Sequence, residues 1–430
     1  MKKVIPGLSF KLALDISYFL FLPFVLAIYI IRGKYHSGWL ERVLFGRWRK
    51  IIKEQDRLVW IHAVSLGEAR EAVLLYRKLK EERSNYKYLL TTVTEVGQKF
   101  IKQHIDREDY STYLPLDFSF LIRRILSHLK IELVLILETE LWPNFIIGLK
   151  EHGIPVGLIN ARISKKSFPR YKLIKAQIRK VLNQLDFVSS SGDMTTLRLA
   201  SLGFKNREYI FEGNIKFDLN APLVKRDSRI EDLSRILKQS NSKLFIAGST
   251  HGEESIFLSQ CFLKLKDSYP DWRFLIAPRQ LKELEILKSF LRGEGCKWSL
   301  FSSGFQAETE QDIYIMDEVG YLPALYNLSE AVFVGGSLLS YGGHNIIEPA
   351  VFKKPILIGP YYHNFKEIVN EFLKEEAVLV VKKEDLLSSM EKIFSQQNLR
   401  EMYGQRAFRV VEKNRGGLKK VIDFVCSKYI

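Results

Sequence analysis

The chain has 430 residues, of which 47% are hydrophobic and 27% charged, and its formal net charge is +16. That length and makeup exclude a disordered tail, a repeat solenoid and a single small module, and they predict two globular domains. A cationic excess of this size calls for an anionic partner, either nucleic acid or a membrane surface with its lipids.

Residues 12–31, LALDISYFLFLPFVLAIYII, form an apolar run broken only by Asp15 and Pro23. The run is long enough to cross the hydrocarbon layer or to lie deep in its interface. Lys2 and Lys3 precede it, but Arg32-Gly33-Lys34 follows where a cleavable leader would carry small residues, so an uncleaved anchor is expected over residues 1–34. Arg32, Lys34, Arg42, Arg47, Arg49, Lys50 and Lys53 outnumber Lys2, Lys3 and Lys11, so the body is expected in the cytoplasm.

From residue 58 onward, short apolar runs alternate with amphipathic stretches. Strands are predicted at 58–63, 88–92, 133–137, 156–160 and 187–190, with helices at 67–83, 96–104, 142–152 and 171–185. The rhythm lapses between 214 and 232, a polar stretch with one proline, where the domain boundary is placed. It resumes with strands at 244–248, 274–277, 313–316, 331–334, 355–358 and 378–381, separated by helices at 253–269, 280–291 and 365–374, and helices from 383 to the end. Such alternation implies parallel sheets covered on both faces, hence domains at 35–218 and 219–430. Ligands of such sheets bind beyond the carboxyl ends of the strands, so a cleft between the two domains is the expected site.

The strand ends concentrate polar residues. Ser65-Leu66-Gly67-Glu68 is a tight turn into a helix; Glu68 suits a general base, and equally a helix-capping carboxylate. Glu138 and Glu140 flank Thr139 at the next strand end, one expected to orient neighbours and the other to cap the helix that begins at Pro143. Arg162 and Ser164 follow the strand at 156–160 and open a basic stretch, Lys165, Lys166, Arg170, Lys172 and Lys175, suited to an acidic or phosphorylated acceptor. In the second half Gly248–Glu254, GSTHGEE, is again strand, loop, helix, and Arg279 ends the following strand. Ala331-Val332-Phe333-Val334 breaks into Gly335-Gly336-Ser337 and then Gly342-Gly343-His344-Asn345. This predicts a glycine loop whose amides, with a helix starting near Asn345, hold a phosphate, while Asn345 and Glu348 share a face toward a nucleotide. Cys261, Cys296 and Cys426 are odd in number and widely spaced, and the eight histidines show no zinc-binding grouping, so reduced thiols and no metal are expected. Without a helix-turn-helix, an RNA-binding aromatic motif or a single basic stripe, the chain is not expected to bind nucleic acid.

Together these turns resemble the 3-deoxy-D-manno-octulosonic acid (Kdo) transferases of lipopolysaccharide and lipid A biosynthesis, a family of GT-B glycosyltransferases. The resemblance rests on HAVSLGE at 62–68, ETELWPN at 138–144, NARIS at 160–164, GNIKFD at 213–218, GSTHGEE at 248–254, APR at 277–279 and GGHNIIEPA at 342–350. Residues around Met316-Asp317 match only loosely. The resemblance implies two Rossmann-like domains and an inverting transfer of Kdo from CMP-Kdo to a lipid A precursor, lipid IVA, with Glu68 as base. It places Arg279, Met316, Gly336, Ser337, Asn345 and Glu348 around the donor, and Ser65, Gly67, Glu138, Glu140, Arg162 and Ser164 at the acceptor side. CMP-Kdo has one phosphate, so no metal or other cofactor is expected. The alternative reading is another membrane-associated GT-B enzyme that uses a UDP-sugar.

Overall fold

The computed structural model describes residues 5–31, 38–43, 48, 51–165, 167–205, 210–218, 227–304 and 311–430. Lys2, Lys3, Arg32, Lys34, Arg47, Arg49, Lys50 and Lys166, and the core of the expected linker at 219–226, lie outside the described residues. The chain divides into two units, Met1–Asp218 with Arg415–Ile430, and Leu219–Asn414.

The first unit is built on a parallel sheet of seven strands: β1 (Arg57–His62), β2 (Lys87–Thr92), β3 (Tyr110–Tyr113), β4 (Lys130–Leu137), β5 (Val156–Ala161), β6 (Phe187–Ser190) and β7 (Ile210–Glu212). Their order is β3-β2-β1-β4-β5-β6-β7, so the winding reverses between β1 and β4. Alternate residues of one strand serve opposite faces. Leu58 and Trp60 of β1 join Val134, Ile136 and Phe145 in one core cluster, whereas Val59 and Ile61 join Leu133, Leu135 and Ala72 in another. Burial on both faces is why these strands read as continuous apolar runs. β3 has no such run: YSTY lies at the sheet edge, and its first two residues are only half-buried.

The expected assignment of the C-terminal helices to the second domain is corrected at residue 415. The helix Gly417–Lys428 packs Leu418, Val421, Ile422 and Val425 into the first unit's second cluster. Asp218 caps it, accepting from the backbone N–H of Gly416 and Leu418, each at 2.7 Å. Gly213 and Gly417 cross so closely that a Cβ on Gly213 would lie 2.8 Å from the Gly417 Cα.

The second unit carries β8 (Lys243–Thr250), β9 (Trp272–Pro278), β10 (Trp298–Leu300), β11 (Ile313–Ile315), β12 (Ala331–Val334), β13 (Ile356–Ile358) and β14 (Leu379–Val380). These strands are all parallel, in the order β10-β11-β9-β8-β12-β13-β14, with the reversal between β8 and β12. In a doubly wound sheet the loops beyond the reversal diverge and leave a crevice. The crevice-forming loops therefore follow β1 and β4 in the first unit and β8 and β12 in the second, which are the loops carrying the polar motifs.

Candidate active site

In the first unit, β1 runs out through Val64 into Ser65, whose extended backbone makes it the N-cap of the helix Leu66–Glu82. Glu68, three residues on, closes a variant of the capping box: its N–H donates to the Ser65 Oγ at 3.4 Å, while its Oε2 accepts from the N–H of Val64, the residue before the cap, at 2.7 Å and its Oε1 from the Ser65 hydroxyl at 2.9 Å. A Cβ on Gly67 would meet nothing nearer than the Ser65 Oγ at 3.7 Å, so the chain leaves room beside this turn. Glu68 is 7% exposed. Burial first, then the charge of Glu138 and to a smaller degree Glu140, push its carboxyl up to about 8, against the two hydrogen bonds that favour ionisation. Capping and base chemistry do not compete here, since each carboxylate oxygen keeps a second lone pair for a substrate proton.

The strand ends of β4 and β5 are adjacent, and both turn through the left-handed region, Glu138 at φ 51° and Asn160 at φ 56°. A non-glycine residue held there stores about 1 kcal/mol or more, and such strain gathers at functional edges. The reversal brings the Glu138 carboxylate to Lys216 Nζ at 2.6 Å, while Glu71 approaches the same ammonium at 3.3 Å. Asn160 Nδ2 donates to the other oxygen of Glu71 at 2.9 Å. Burial opposes the charge on Lys216, but Glu71 and Glu138 outweigh it and raise its pKa; burial raises Glu71. Neither Glu71 nor Lys216 was singled out by sequence, although Lys216 lies in GNIKFD.

Glu140 does not cap the following helix, contrary to expectation. That place is taken by Asp117, which accepts from the N–H of Asn144 at 3.1 Å and of Phe145 at 2.7 Å. Glu140 remains at the strand end, its carboxyl raised to about 7 by burial and by Glu138. Thr139 fastens the next loop, its hydroxyl donating to the Arg162 carbonyl at 2.7 Å and accepting from the Arg162 N–H at 2.8 Å. Ser164 is committed to a local turn, exchanging backbone and hydroxyl hydrogen bonds with Ser167.

In the second unit, the glycine loop after β12 differs from the expected phosphate cradle. Glu254, fully buried, fills it. Its Oε2 accepts from the N–H of Gly336 at 2.6 Å and His251 at 2.9 Å, and its Oε1 from Ser337 at 2.8 Å and Leu338 at 2.7 Å. The Ser337 hydroxyl is also internal, donating to the Val334 carbonyl at 2.6 Å and accepting from Gly359 N–H at 2.8 Å. A carboxylate sunk in backbone N–H groups does what a bound anion would do, and leaves Gly336 and Ser337 no amides for a phosphate. Expected helical support near Asn345 is corrected as well: the helix is the four-residue turn Ile347–Ala350, and Asn345 Oδ1 accepts its Ile347 N–H at 3.1 Å.

What the loop does present is a histidine pair. His251 and His344 lie edge to edge with rings 9° from parallel, centroids 5.1 Å apart and Nε2 to Nε2 at 2.9 Å, and Tyr341 stacks on a face of His251 at 4.5 Å. Burial, then Arg279, lowers the His344 pKa to about 4; His251 is lowered chiefly by burial. The pair is therefore neutral at pH 7, one ring donating to the other. Gly336 (φ 67°) lies against it, since a Cβ there would stand 3.0 Å from His344 Cδ2 and 3.3 Å from His251 Cδ2. Arg279 leaves β9 exposed, its N–H donating to the Thr250 carbonyl at 2.8 Å. Met316, buried at the end of β11, donates its N–H to the neighbouring strand at Ile276. Asn345 Nδ2 reaches Glu348 Oε1 at 3.5 Å. The carboxyl ends of β11, β9, β8 and β12 thus gather Met316, Arg279, the histidine pair, Asn345 and Glu348 in one unit, and those of β1, β4 and β5 gather Glu68, Glu138, Glu140 and Arg162 in the other.

Among the described residues one acidic trio, Asp106, Glu108 and Asp109, is close enough to share a cation. Lys80 Nζ occupies it, within 2.7 Å of all three.

The family model for 3-deoxy-D-manno-octulosonic-acid transferase matches residues 37–219. A 3-deoxy-D-manno-octulosonic acid transferase of Haemophilus influenzae is 31% identical over 371 residues, which is 85% of this chain and 86% of that protein. The transferase of Chlamydia trachomatis serovar A is 26% identical over 94% of this chain and 91% of its own length. Among solved structures, a glycosyltransferase of Rickettsia africae superposes with a TM-score of 0.55 at 14% identity, covering 87% of this chain and 98% of its own. A UDP-GlcNAc 2-epimerase of Neisseria meningitidis superposes at 0.58 and 14%, covering 86% and 100%. These two likenesses establish the GT-B type of fold.

Proposed function

From the premise that this chain belongs to the 3-deoxy-D-manno-octulosonic acid transferase family and is a glycosyltransferase, we propose that it transfers Kdo from CMP-Kdo to lipid IVA, a phosphate-bearing lipid A precursor, with inversion. Glu68 takes the proton of an acceptor hydroxyl as that oxygen attacks the anomeric carbon of Kdo. The bond from that carbon to the phosphate oxygen breaks, and the electron pair leaves with CMP. A base is most useful when its pKa lies near the working pH, and the single observation that carries this reading is Glu68 at about 8, fixed by two hydrogen bonds.

The donor's single phosphate meets Arg279 and a neutral imidazole able to donate a hydrogen bond, in place of the loop amides that Glu254 already fills. Asn345, Glu348, Met316 and the loop at Gly336 and Ser337 form the nucleoside side. On the acceptor side, Arg162 faces the phosphates, Ser65 and Gly67 shape the turn, and Glu138, Glu140 and Ser164 hold it. One phosphate and one arginine need no divalent metal, so the scheme runs without a cofactor. Helix α1 (Leu8–Ile31) is long and apolar enough to reach a membrane, with none of its residues buried, and it keeps the enzyme at the cytoplasmic face of the inner membrane, where a lipid acceptor resides. Nucleic acid is not a partner. Comparing Glu68→Gln with the native enzyme on CMP-Kdo and lipid IVA tests the assignment: CMP affinity should hold while turnover falls at least about 100-fold. Equal turnover would remove Glu68 from the role.

A further inference from the structure

The apolar helix α1 does not stand free of the first unit. Lys11, Asp15, Tyr18 and Tyr29 are spaced by 4, 3 and 11 residues, which puts them on one helical face. Each meets the body. Lys11 Nζ pairs with Glu151 at 2.5 Å, and the Tyr18 hydroxyl donates to Asp117 at 3.1 Å. Asp15, the one acidic residue in the run, accepts from the N–H of Ser119 and from Asn144 Nδ2, both at 2.9 Å, and from the Ser119 hydroxyl at 2.5 Å. Tyr29 packs edge-on against Trp39 at 5.1 Å. At 1.5 Å per residue these contacts run along about 27 Å of helix, close to the roughly 30 Å thickness of a hydrocarbon core. A helix crossing the bilayer in this pose would carry the Glu151, Asp117 and Ser119 surface into hydrocarbon with it. The helix Ser119–Leu126, against which α1 docks, also bears exposed Arg123 and Arg124. Such charges are expensive at that depth.

The opposite face is apolar and open, Leu20 being 59%, Phe24 68% and Ile31 83% exposed. Soluble monomers rarely leave a continuous apolar surface of this extent. Its border is basic: Lys180 lies over the Phe10 ring at 4.7 Å, on a helix that also exposes Lys175 and Arg179, next to Leu173 at 87% exposure. Apolar surface edged by cations fits the headgroup and upper acyl layer of an anionic leaflet.

Resting on the membrane reading above, we propose that α1 is an in-plane helix, latched along its length to the first unit through Asp15, Asn144, Ser119, Asp117 and Tyr18, and that its outer face enters one leaflet of an anionic phospholipid bilayer without crossing it. Asn144 thereby has a stated job within ETELWPN: one amide joins the membrane helix to the loop that carries Glu138 and Glu140.

The test uses the full chain with its three cysteines changed to serine and the pair Lys11→Cys and Glu151→Cys, mixed with vesicles of phosphatidylethanolamine and phosphatidylglycerol, floated, and treated with a short bismaleimide. The proposal expects flotation and an intramolecular cross-link in the floated fraction. Flotation without a cross-link overturns the in-plane helix and leaves membrane attachment standing. A chain that does not float overturns both. As a second arm, Leu20→Asp with Phe24→Asp should weaken vesicle partition roughly ten- to hundred-fold at least while the cross-link persists. Unchanged partition would show that this face is not the one in the leaflet. A nitroxide scan gives a third reading. Labels at Ser9→Cys, Leu20→Cys and Ile31→Cys, exposed positions spaced by 11 residues on the outer face, should lie at one shallow depth, whereas a deep Leu20→Cys between shallow ends would refute the proposal.

Discussion

Replacing Glu68 by glutamine changes the proton chemistry of the site and little of its shape. The carboxylate accepts from Val64 N–H at 2.7 Å and from the Ser65 hydroxyl at 2.9 Å. Glutamine keeps the first through its Oε1, and the Ser65 hydroxyl can rotate to accept from its Nε2, so the helix cap survives. The proton acceptor does not survive, and general base catalysis of this type contributes about 10²- to 10⁴-fold, or roughly 3 to 5 kcal/mol of barrier. The pH profile supplies the sharper reading. With Glu68 titrating at about 8, the native rate should climb with pH and level off above that value, while the glutamine variant should be slow and show no such inflection. Stability moves in the opposite sense. A carboxyl raised from 4.5 to about 8 in the folded chain is protonated where the unfolded chain is ionised, so its contribution makes folding less favourable as pH rises from 4.5 toward 8. Glutamine removes that loss, and the variant should be more stable than the native enzyme at pH 8, by up to about 4 kcal/mol, and nearly equal to it at pH 4.5. The assays are initial rates across pH and urea unfolding at both ends of the window. Near-native turnover, or an inflection that persists in the variant, would refute the assignment.

Lys216→Met strands Glu71 and Glu138, one of them 1% exposed, and should cost about 3 to 5 kcal/mol by chemical denaturation; a loss below 1 kcal/mol would mean the ammonium is not holding that edge together. Glu254→Ala leaves the N–H groups of His251, Gly336, Ser337 and Leu338 without their acceptor, at about 1 to 3 kcal/mol for each that water cannot reach. Both thermal stability and CMP affinity should fall, and unchanged CMP affinity by calorimetry would detach the loop from the donor. Gly336→Ala drives a methyl toward His344 and His251 at a left-handed backbone position, so donor affinity should drop at least about tenfold with little change in turnover at saturation.

The alternation of strands and helices was readable because both faces of each sheet are buried, which makes every inner strand an apolar run. Where that cause is missing the reading failed, as at the edge strand β3 and at β7, whose Ile210–Glu212 is too short to signal. Ser65 and Glu68 were visible together because a capping box and a candidate base share one spacing; the structure shows both in the same carboxylate. The glycine loop misled for a physical reason. Closely spaced glycines announce that backbone amides converge, but not on what, and here they converge on Glu254, which the local pattern of GSTHGEE does not connect to a loop some eighty residues later. Helix-capping by Asp117 and the return of residues 415–430 to the first unit are likewise long-range contacts, which no local periodicity encodes.

The central claim is the donor and the acceptor, and mass spectrometry addresses both at once. Purified enzyme incubated with lipid IVA and CMP-Kdo, with chelator present, should convert the lipid to species heavier by whole Kdo residues, with release of CMP. CMP should inhibit that conversion and UDP should not. Lipid left unchanged with CMP-Kdo, but modified when a UDP-sugar is supplied, would contradict the account.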